Sequence, residues 1–151
     1  MTYLEYNYDK FIFKVKENLY YHEEGYWVEI EKDIGKVGIT DFLQTLNGDI
    51  ASVELFGKGR VKQGEVMGDI ETMKVSLELS CPVSGEIIEK NEELITKPEL
   101  VNLDPYGEGW LLKIKLKNFE ADRLNLMSSL EYLEFMKKKL KEESGRLKGN
   151  E

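Results

Sequence analysis

A period of two runs through most of this chain and restricts its fold more than any other feature. From Tyr3 to Leu116, short apolar segments alternate with polar residues and are broken by glycines, the pattern of half-buried strands. Phe11, Phe13 and Val15 alternate with Ile12, Lys14 and Lys16, and Trp27, Glu29 and Glu31 alternate with Val28 and Ile30. Lys36 to Ile39 and Ile50 to Leu55 continue the habit. Gly35, Gly48, Gly57, Gly59, Gly64, Gly68 and Gly85 read as the turns between them. Many short strands at this spacing predict a mainly β domain, an antiparallel barrel or sandwich of curved hairpins.

Two segments break the period. Thr40 to Leu46 reads as a short internal helix, capped by Thr40 or Asp41, with apolar residues at Phe42, Leu43 and Leu46. Near the end, Leu130, Leu133, Met136 and Leu140 recur at helical spacing, and Ser128 with Glu131 forms a capping box. This predicts a C-terminal helix from about Ser129 to Glu143 that lays its stripe on the barrel and is stopped by Gly145. Residues 1–19 form an aromatic extension expected to pack on a domain spanning 20–143, and 144–151, charged and glycine-containing, is expected to be a flexible tail.

Composition excludes several classes of function. A chain of 151 residues suits one domain, and 41% apolar content is enough for a core. Residues 137–151 hold six basic and three acidic side chains, leaving 15 basic against 26 acidic in residues 1–136. A body this acidic repels phosphate backbones and anionic lipid, so neither nucleic acid nor a membrane surface is an expected partner. No run approaches the roughly 20 apolar residues that span a bilayer, and Met1 to Lys10 lacks the order of a secretory signal. The expected compartment is the cytoplasm, and the expected state a monomer. Cys81, the single cysteine, cannot form an internal disulfide, and with the single histidine, His22, it offers no zinc-type cluster and no catalytic triad. Cys81 is read as packing, His22 as an exposed polar residue, Trp27 and Trp110 as plugs in the core, and Asp104-Pro105-Tyr106-Gly107 as a tight turn.

The segment Gly68-Asp69-Ile70-Glu71-Thr72-Met73-Lys74-Val75-Ser76-Leu77-Glu78-Leu79 reads as two strands meeting near Met73-Lys74, with Cys81-Pro82-Val83-Ser84-Gly85 as the next turn. On either side, Val61-Lys62-Gln63-Gly64-Glu65-Val66 and Val83-Ser84-Gly85-Glu86-Ile87-Ile88 echo one another; a duplicated strand-turn unit would place Lys74 at a hairpin tip. A lysine at such a tip is ordinarily a solubilising charge. Its neighbourhood, however, resembles the acceptor hairpins of lipoyl and biotinyl carriers. Glu71-Thr72, Lys74 and Pro82-Val83-Ser84-Gly85 match the lipoyl form; Met73 is a biotinyl trait, while Val75 stands where biotinyl carriers have methionine.

Flanking segments resemble one family, the H protein of the glycine cleavage system. They are Val37-Gly38-Ile39-Thr40-Asp41 through Gln44 to Gly48-Asp49-Ile50 and Val53-Glu54-Leu55, then Asn91-Glu92-Glu93-Leu94, Pro98-Glu99-Leu100-Val101-Asn102 and Asp104-Pro105-Tyr106-Gly107-Glu108-Gly109-Trp110-Leu111. The resemblance covers about residues 20–136. It implies a small barrel-sandwich hybrid of antiparallel hairpins and a non-catalytic carrier with lipoate in amide linkage to Lys74. The lipoyl-lysine arm would shuttle an aminomethyl fragment among glycine decarboxylase, aminomethyltransferase and dihydrolipoamide dehydrogenase, after attachment by a lipoate ligase or lipoyltransferase. Glu71 matches an acidic residue that helps present the lysine to the attaching enzyme.

The match departs at two places. Gly25-Tyr26-Trp27 stands where the family has His-Glu-Trp, and Val75-Ser76-Leu77-Glu78 where it has Ala-Ala-Ser-Asp. The family's glutamate helps shelter a basic cargo; Tyr26 has no such charge, while Glu78 keeps one carboxylate near the arm. The loss keeps open an H-like lipoate-binding protein that carries sulfur for a heterodisulfide-reductase-like complex. A biotinyl carrier and an unmodified interaction paralogue are the remaining alternatives.

Overall fold

The computed structural model describes residues 2–142, so the expected tail and the stop at Gly145 lie outside the described residues. The N-terminal segment is a hairpin of β1 (Tyr3–Tyr8) and β2 (Phe11–Lys16). β3 (Tyr20–His22), β4 (Tyr26–Glu31) and β5 (Ile34–Ile39) form a meander that ends in helix α1 (Asp41–Asn47). β6 (Ile50–Leu55), β7 (Gly59–Val61), β8 (Val66–Thr72), β9 (Ser76–Ser80) and β10 (Gly85–Lys90) follow. Short helices α2 (Glu93–Thr96) and α3 (Leu100–Leu103) lead into β11 (Leu112–Leu116), and α4 (Phe119–Asp122) precedes the long helix α5 (Ser129–Glu142).

Antiparallel pairing arranges these strands in a six-stranded sheet, β3-β4-β5-β11-β10-β7, a three-stranded sheet, β6-β8-β9, and the separate β1-β2 ribbon. The two larger sheets share a core of Val28, Val37, Ile39, Ile87 and Ile114 from one and Ile50, Met67, Ile70 and Leu79 from the other. No sheet closes on itself, so the architecture is a barrel-sandwich hybrid rather than a closed barrel.

A second core lies on the opposite face of β4. Tyr26 and Val28 point into the first, whereas Trp27 packs with Phe13, Val15, Tyr21, Phe42, Tyr132, Met136 and Leu140 in the second. Alternation along a strand requires this split, and it explains why Tyr26-Trp27-Val28 is an uninterrupted apolar run. The N-terminal hairpin and α5 therefore cover β4. The C-terminal helix lays its stripe on the barrel, as expected, at the outer face of β3 and β4, and it also packs on the hairpin, in contact with β1 and β2.

Several local expectations need correction. Leu130 is 61% exposed, and Tyr132, fully buried, takes its place in the helix stripe, because the face of Leu133, Met136 and Leu140 continues through position 132. Gly35 and Gly68 lie inside β5 and β8 rather than in turns. At Gly68 the β6 backbone approaches so closely that a Cβ would meet the Glu54 carbonyl and stand 3.1 Å from Leu55 Cα, which only glycine avoids. Trp110 is half-buried under the Lys113 ammonium, 5.1 Å from its ring, rather than a core plug. His22 is half-buried in β3 and accepts from Glu24 N at 3.1 Å, so it is not simply exposed. Thr40 is the α1 cap, its hydroxyl accepting from Leu43 N at 3.4 Å and lying 3.0 Å from Tyr132 Oη. The Ser128–Glu131 capping box forms reciprocally, at 2.9 and 3.2 Å, and the Ser128 N–H holds the Glu131 carboxyl below its ordinary pKa.

Candidate functional site

The two echoing segments meet. Gly85 pairs with Val61, Gly64 N donates to the Cys81 carbonyl at 2.8 Å, and Cys81 N donates to Glu65 O at 2.7 Å. These contacts close the base of the β8–β9 hairpin and leave its tip at Met73-Lys74. Cys81 itself is buried, its thiol donates to Val83 O at 3.1 Å, and burial pushes its pKa up to about 12, so it stays a protonated packing group.

The tip is held by a side chain rather than by special backbone. Neither Met73 nor Lys74 adopts a positive φ, although two-residue hairpin turns usually need one. Instead the Thr72 hydroxyl accepts from Lys74 N at 3.1 Å and from Val75 N at 3.0 Å, while Thr72 N donates to the Val75 carbonyl at 2.8 Å. This pins the backbone on both sides of Lys74 and leaves its side chain exposed, beside a Met73 that is 86% exposed. The lysine stem runs beside Gly48, the α1 C-cap at φ 92°, with Cγ and Cδ 3.9 Å from where a Cβ would stand. A Cβ there would only touch the stem at ordinary contact distance, so it is the φ of 92° that favours glycine and would strain any other residue.

Carboxylates cover the outer face of the three-stranded sheet. Glu54, Asp69 and Glu78 lie in one cross-strand row, and Ser52, Glu71 and Ser76 in the next, all exposed. Like charges directly opposite one another destabilise a sheet, so this row opposes folding and generates a field instead.

Lys74, Glu71 and Glu78 therefore share one hairpin, while Tyr26 reaches only its base. The Tyr26 ring is 3% exposed, its hydroxyl accepts from Ser80 N at 3.0 Å, and burial raises its pKa. Ser80 Oγ in turn donates to the Glu24 carboxylate at 2.7 Å. The sequence reading missed Thr72 as the tip's anchor, Gly48 as the lysine's neighbour, and Glu24. A hydroxyl residue beside a turn lacking Gly, Asn or Asp is a readable signal for the first; Glu24, 56 positions from Ser80, has none.

A lysine projected from a hairpin tip whose backbone Thr72 pins on both sides is the geometry of a carrier scaffold. The family model described as glycine cleavage H-protein matches residues 19–139. A Pyrococcus abyssi protein named "probable glycine cleavage system H protein" is 49% identical over 83% of this chain and 94% of its own length. The glycine cleavage system H protein of Carboxydothermus hydrogenoformans is 42% identical over 87% of this chain and 97% of its own. The crystal structure of the H protein from Mycobacterium marinum superposes with a TM-score of 0.69 at 27% identity, covering 78% of this chain and 95% of that one.

This chain belongs to the glycine cleavage H-protein family. It is a lipoyl carrier of that multienzyme system, a non-catalytic component whose family bears lipoate in covalent linkage to a lysine. Its partners are components of the same system.

Proposed function

We propose that Lys74 is the lysine that bears the lipoyl group. The observation that carries this is the tip geometry: an exposed lysine on a backbone pinned from both sides by Thr72. Only a lysine side chain supplies the amine for the amide, and Lys74 is exposed at the tip where an attaching enzyme can reach it. The bound group supplies a disulfide that opens to two thiols, on which a fragment is carried between active sites. Amide formation removes one positive charge from a chain of formal net charge −8.

The chain's own residues hold and present the arm. Thr72 fixes its origin, and the lysine stem runs beside Gly48. Glu71, exposed on the strand leading to the tip, presents the lysine to a lipoate ligase or lipoyltransferase. Glu78, on β9, places a carboxylate along the arm's course, and Tyr26 acts through Ser80, whose N–H it holds. The charge absent at position 26 is present two residues earlier: Glu24 reaches the same Ser80. That carboxylate favours a basic cargo, and hence the glycine route over sulfur transfer.

Glycine decarboxylase, aminomethyltransferase and dihydrolipoamide dehydrogenase are the partners that meet the tip, in the cytoplasm. Residues 61–110 hold eleven acidic and four basic side chains, and such a field steers the hairpin toward basic mouths through weak, salt-sensitive contacts. Among the described residues no helix is long and apolar enough to cross a membrane.

Intact mass after coexpression with a lipoate ligase tests the site. A lipoyl increment on the native chain, absent from Lys74→Arg, is expected; an increment retained by that variant would move the site elsewhere, and a biotin increment would make the chain a biotinyl carrier. Incubated with glycine decarboxylase and labelled glycine, the lipoylated chain should gain the label, and no transfer at full lipoylation would eliminate the glycine route.

A further inference from the structure

We propose that the outer edge of β1 is a self-association surface, to which a second copy of this chain adds its own β1 antiparallel. The ribbon lies within residues 1–18, ahead of the segment matched by the family model. A strand edge offers a row of unpaired N–H and C=O groups, and proteins normally shorten, cover or charge such edges.

Among the described residues, each of the other sheet edges carries at least one such device. β3 is closed by Tyr21 N to Met127 O at 2.8 Å and the reverse bond at 2.7 Å. Asn102 brackets the β6 edge through Ile50 N and O at 3.0 and 3.1 Å. β7 has three residues, and β9, five residues long, carries the Glu78 charge and meets the Tyr26 hydroxyl at its Ser80 end. On β2, Lys14 N donates to Asp41 Oδ2 at 2.9 Å and Lys14 O accepts from Tyr106 Oη at 2.8 Å. β1 is longer than β7 and β9, six residues Tyr-Leu-Glu-Tyr-Asn-Tyr, with Glu5 as its one charge and with no proline, no lysine, no register shift and, among the described residues, no side chain bonded to its outer backbone groups.

The register follows from the hairpin. Tyr8 pairs with Phe11 across the two-residue Asp9-Lys10 tip, so Leu4, Tyr6 and Tyr8 bond to β2, and the backbone groups of Tyr3, Glu5 and Asn7 point outward. Lys14, opposite Glu5, agrees: its N–H and C=O face Asp41 and Tyr106, away from β1. Of the antiparallel self-pairings that use these outward groups, two keep five residue pairs within β1, against three for a pairing centred on Leu4 or Asn7. One, centred on Glu5, sets Glu5 against Glu5 of the second copy. The other, centred on Tyr6, sets each Glu5 against Asn7 and Tyr6 against Tyr6, avoiding like charges. The second is selected, and it is isologous, as a closed dimer requires. Because β1 lies on the far side of β2 from α1, whose other end neighbours Lys74, pairing leaves the carrier tip uncovered.

Sedimentation of the full, unmodified chain from low micromolar to millimolar concentration is the test, and a dimer is expected. Asn7→Glu places two Glu–Glu pairs across the axis and should raise the dissociation constant about tenfold. Asn7→Lys, opposite Glu5, should leave it unchanged or lower it. Asn7 is exposed and opposes the 62% exposed Ile12 within its own hairpin, so circular dichroism should show both variants folded. A monomer at every concentration, or a dimer that Asn7→Glu does not weaken more than Asn7→Lys, would overturn the proposal.

Discussion

The β1–β2 hairpin turns through Asp9-Lys10 and the β8–β9 hairpin through Met73-Lys74, so each presents a lysine second at a two-residue tip. The first uses a residue suited to the turn, Asp9 at φ 55°, and its lysine ammonium lies 5.6 Å from the Phe11 ring. The second has no positive φ and is tied by the Thr72 hydroxyl, with its lysine beside Gly48 and a carboxylate-covered sheet behind it. One ribbon is packed by its apolar face onto α5; the other belongs to a sheet whose outer face is open and acidic. A lysine at a hairpin tip is therefore not enough to mark an attachment point; what differs is the support beneath it and the field around it.

The sharpest way to break this contrast is to exchange the lysines' fates. Lys74→Arg should abolish lipoylation entirely and Lys10→Arg should not affect it, as read by intact mass; an equal loss in both would dissolve the distinction. Next in size is the packing of the first hairpin. Phe13 is 1% exposed, and Phe13→Ala should destabilise by about 3–5 kcal/mol in denaturant titration, while folded protein keeps its competence for modification.

The junction between the hairpin and α1 gives a pH-dependent prediction. Burial raises Asp41 from 3.8 to about 6, against the opposing hydrogen bond from Lys14 N, and its Oδ1 has no hydrogen-bond partner. The native carboxyl thus holds its proton more tightly than the unfolded one does. That stabilisation is complete below about pH 4 and is lost as pH rises through about 6. Asp41→Asn, which can still accept from Lys14 N, should raise the melting temperature near neutral pH by the equivalent of about 2 kcal/mol and give little gain below pH 4. An equal gain at both pH values would show that ionisation of Asp41 is not the cause. Smaller again, Thr72→Val should speed amide exchange at Lys74 and Val75 by removing hydrogen bonds of about 1 kcal/mol each, with Thr72→Ser close to native. Unchanged exchange in Thr72→Val would show that the hydroxyl does not hold the tip. Lys10→Ala should shift stability by no more than about 0.5 kcal/mol.

What was legible in the sequence was local. Alternation along Phe11 to Val15 and Ser52 to Leu55, the capping box at Ser128 and the hairpin around Lys74 depend on neighbours a few residues apart, and the structure has each of them, the alternation failing only at buried Lys16 and at the bulge after Ile50. The misreadings depended on distant partners. Gly68 reads as a turn until the β6 backbone is beside it, and Leu130 fits the helix stripe as well as Tyr132 until the hairpin and β3 choose the face. Glu24 at Ser80 and Asp41 at Lys14 join residues 56 and 27 positions apart, between segments with no shared pattern. The site was read through its motif, whereas the way Thr72 holds it required coordinates.

β4 lends Val28 to one core and Trp27 to the other. The N-terminal ribbon is thus welded to the carrier through a shared wall rather than hung from it. Trimming the first 18 residues would strip one side of that wall and bare the indole, so an engineer seeking a minimal carrier should repaint the Trp27 side with polar groups before shortening the chain.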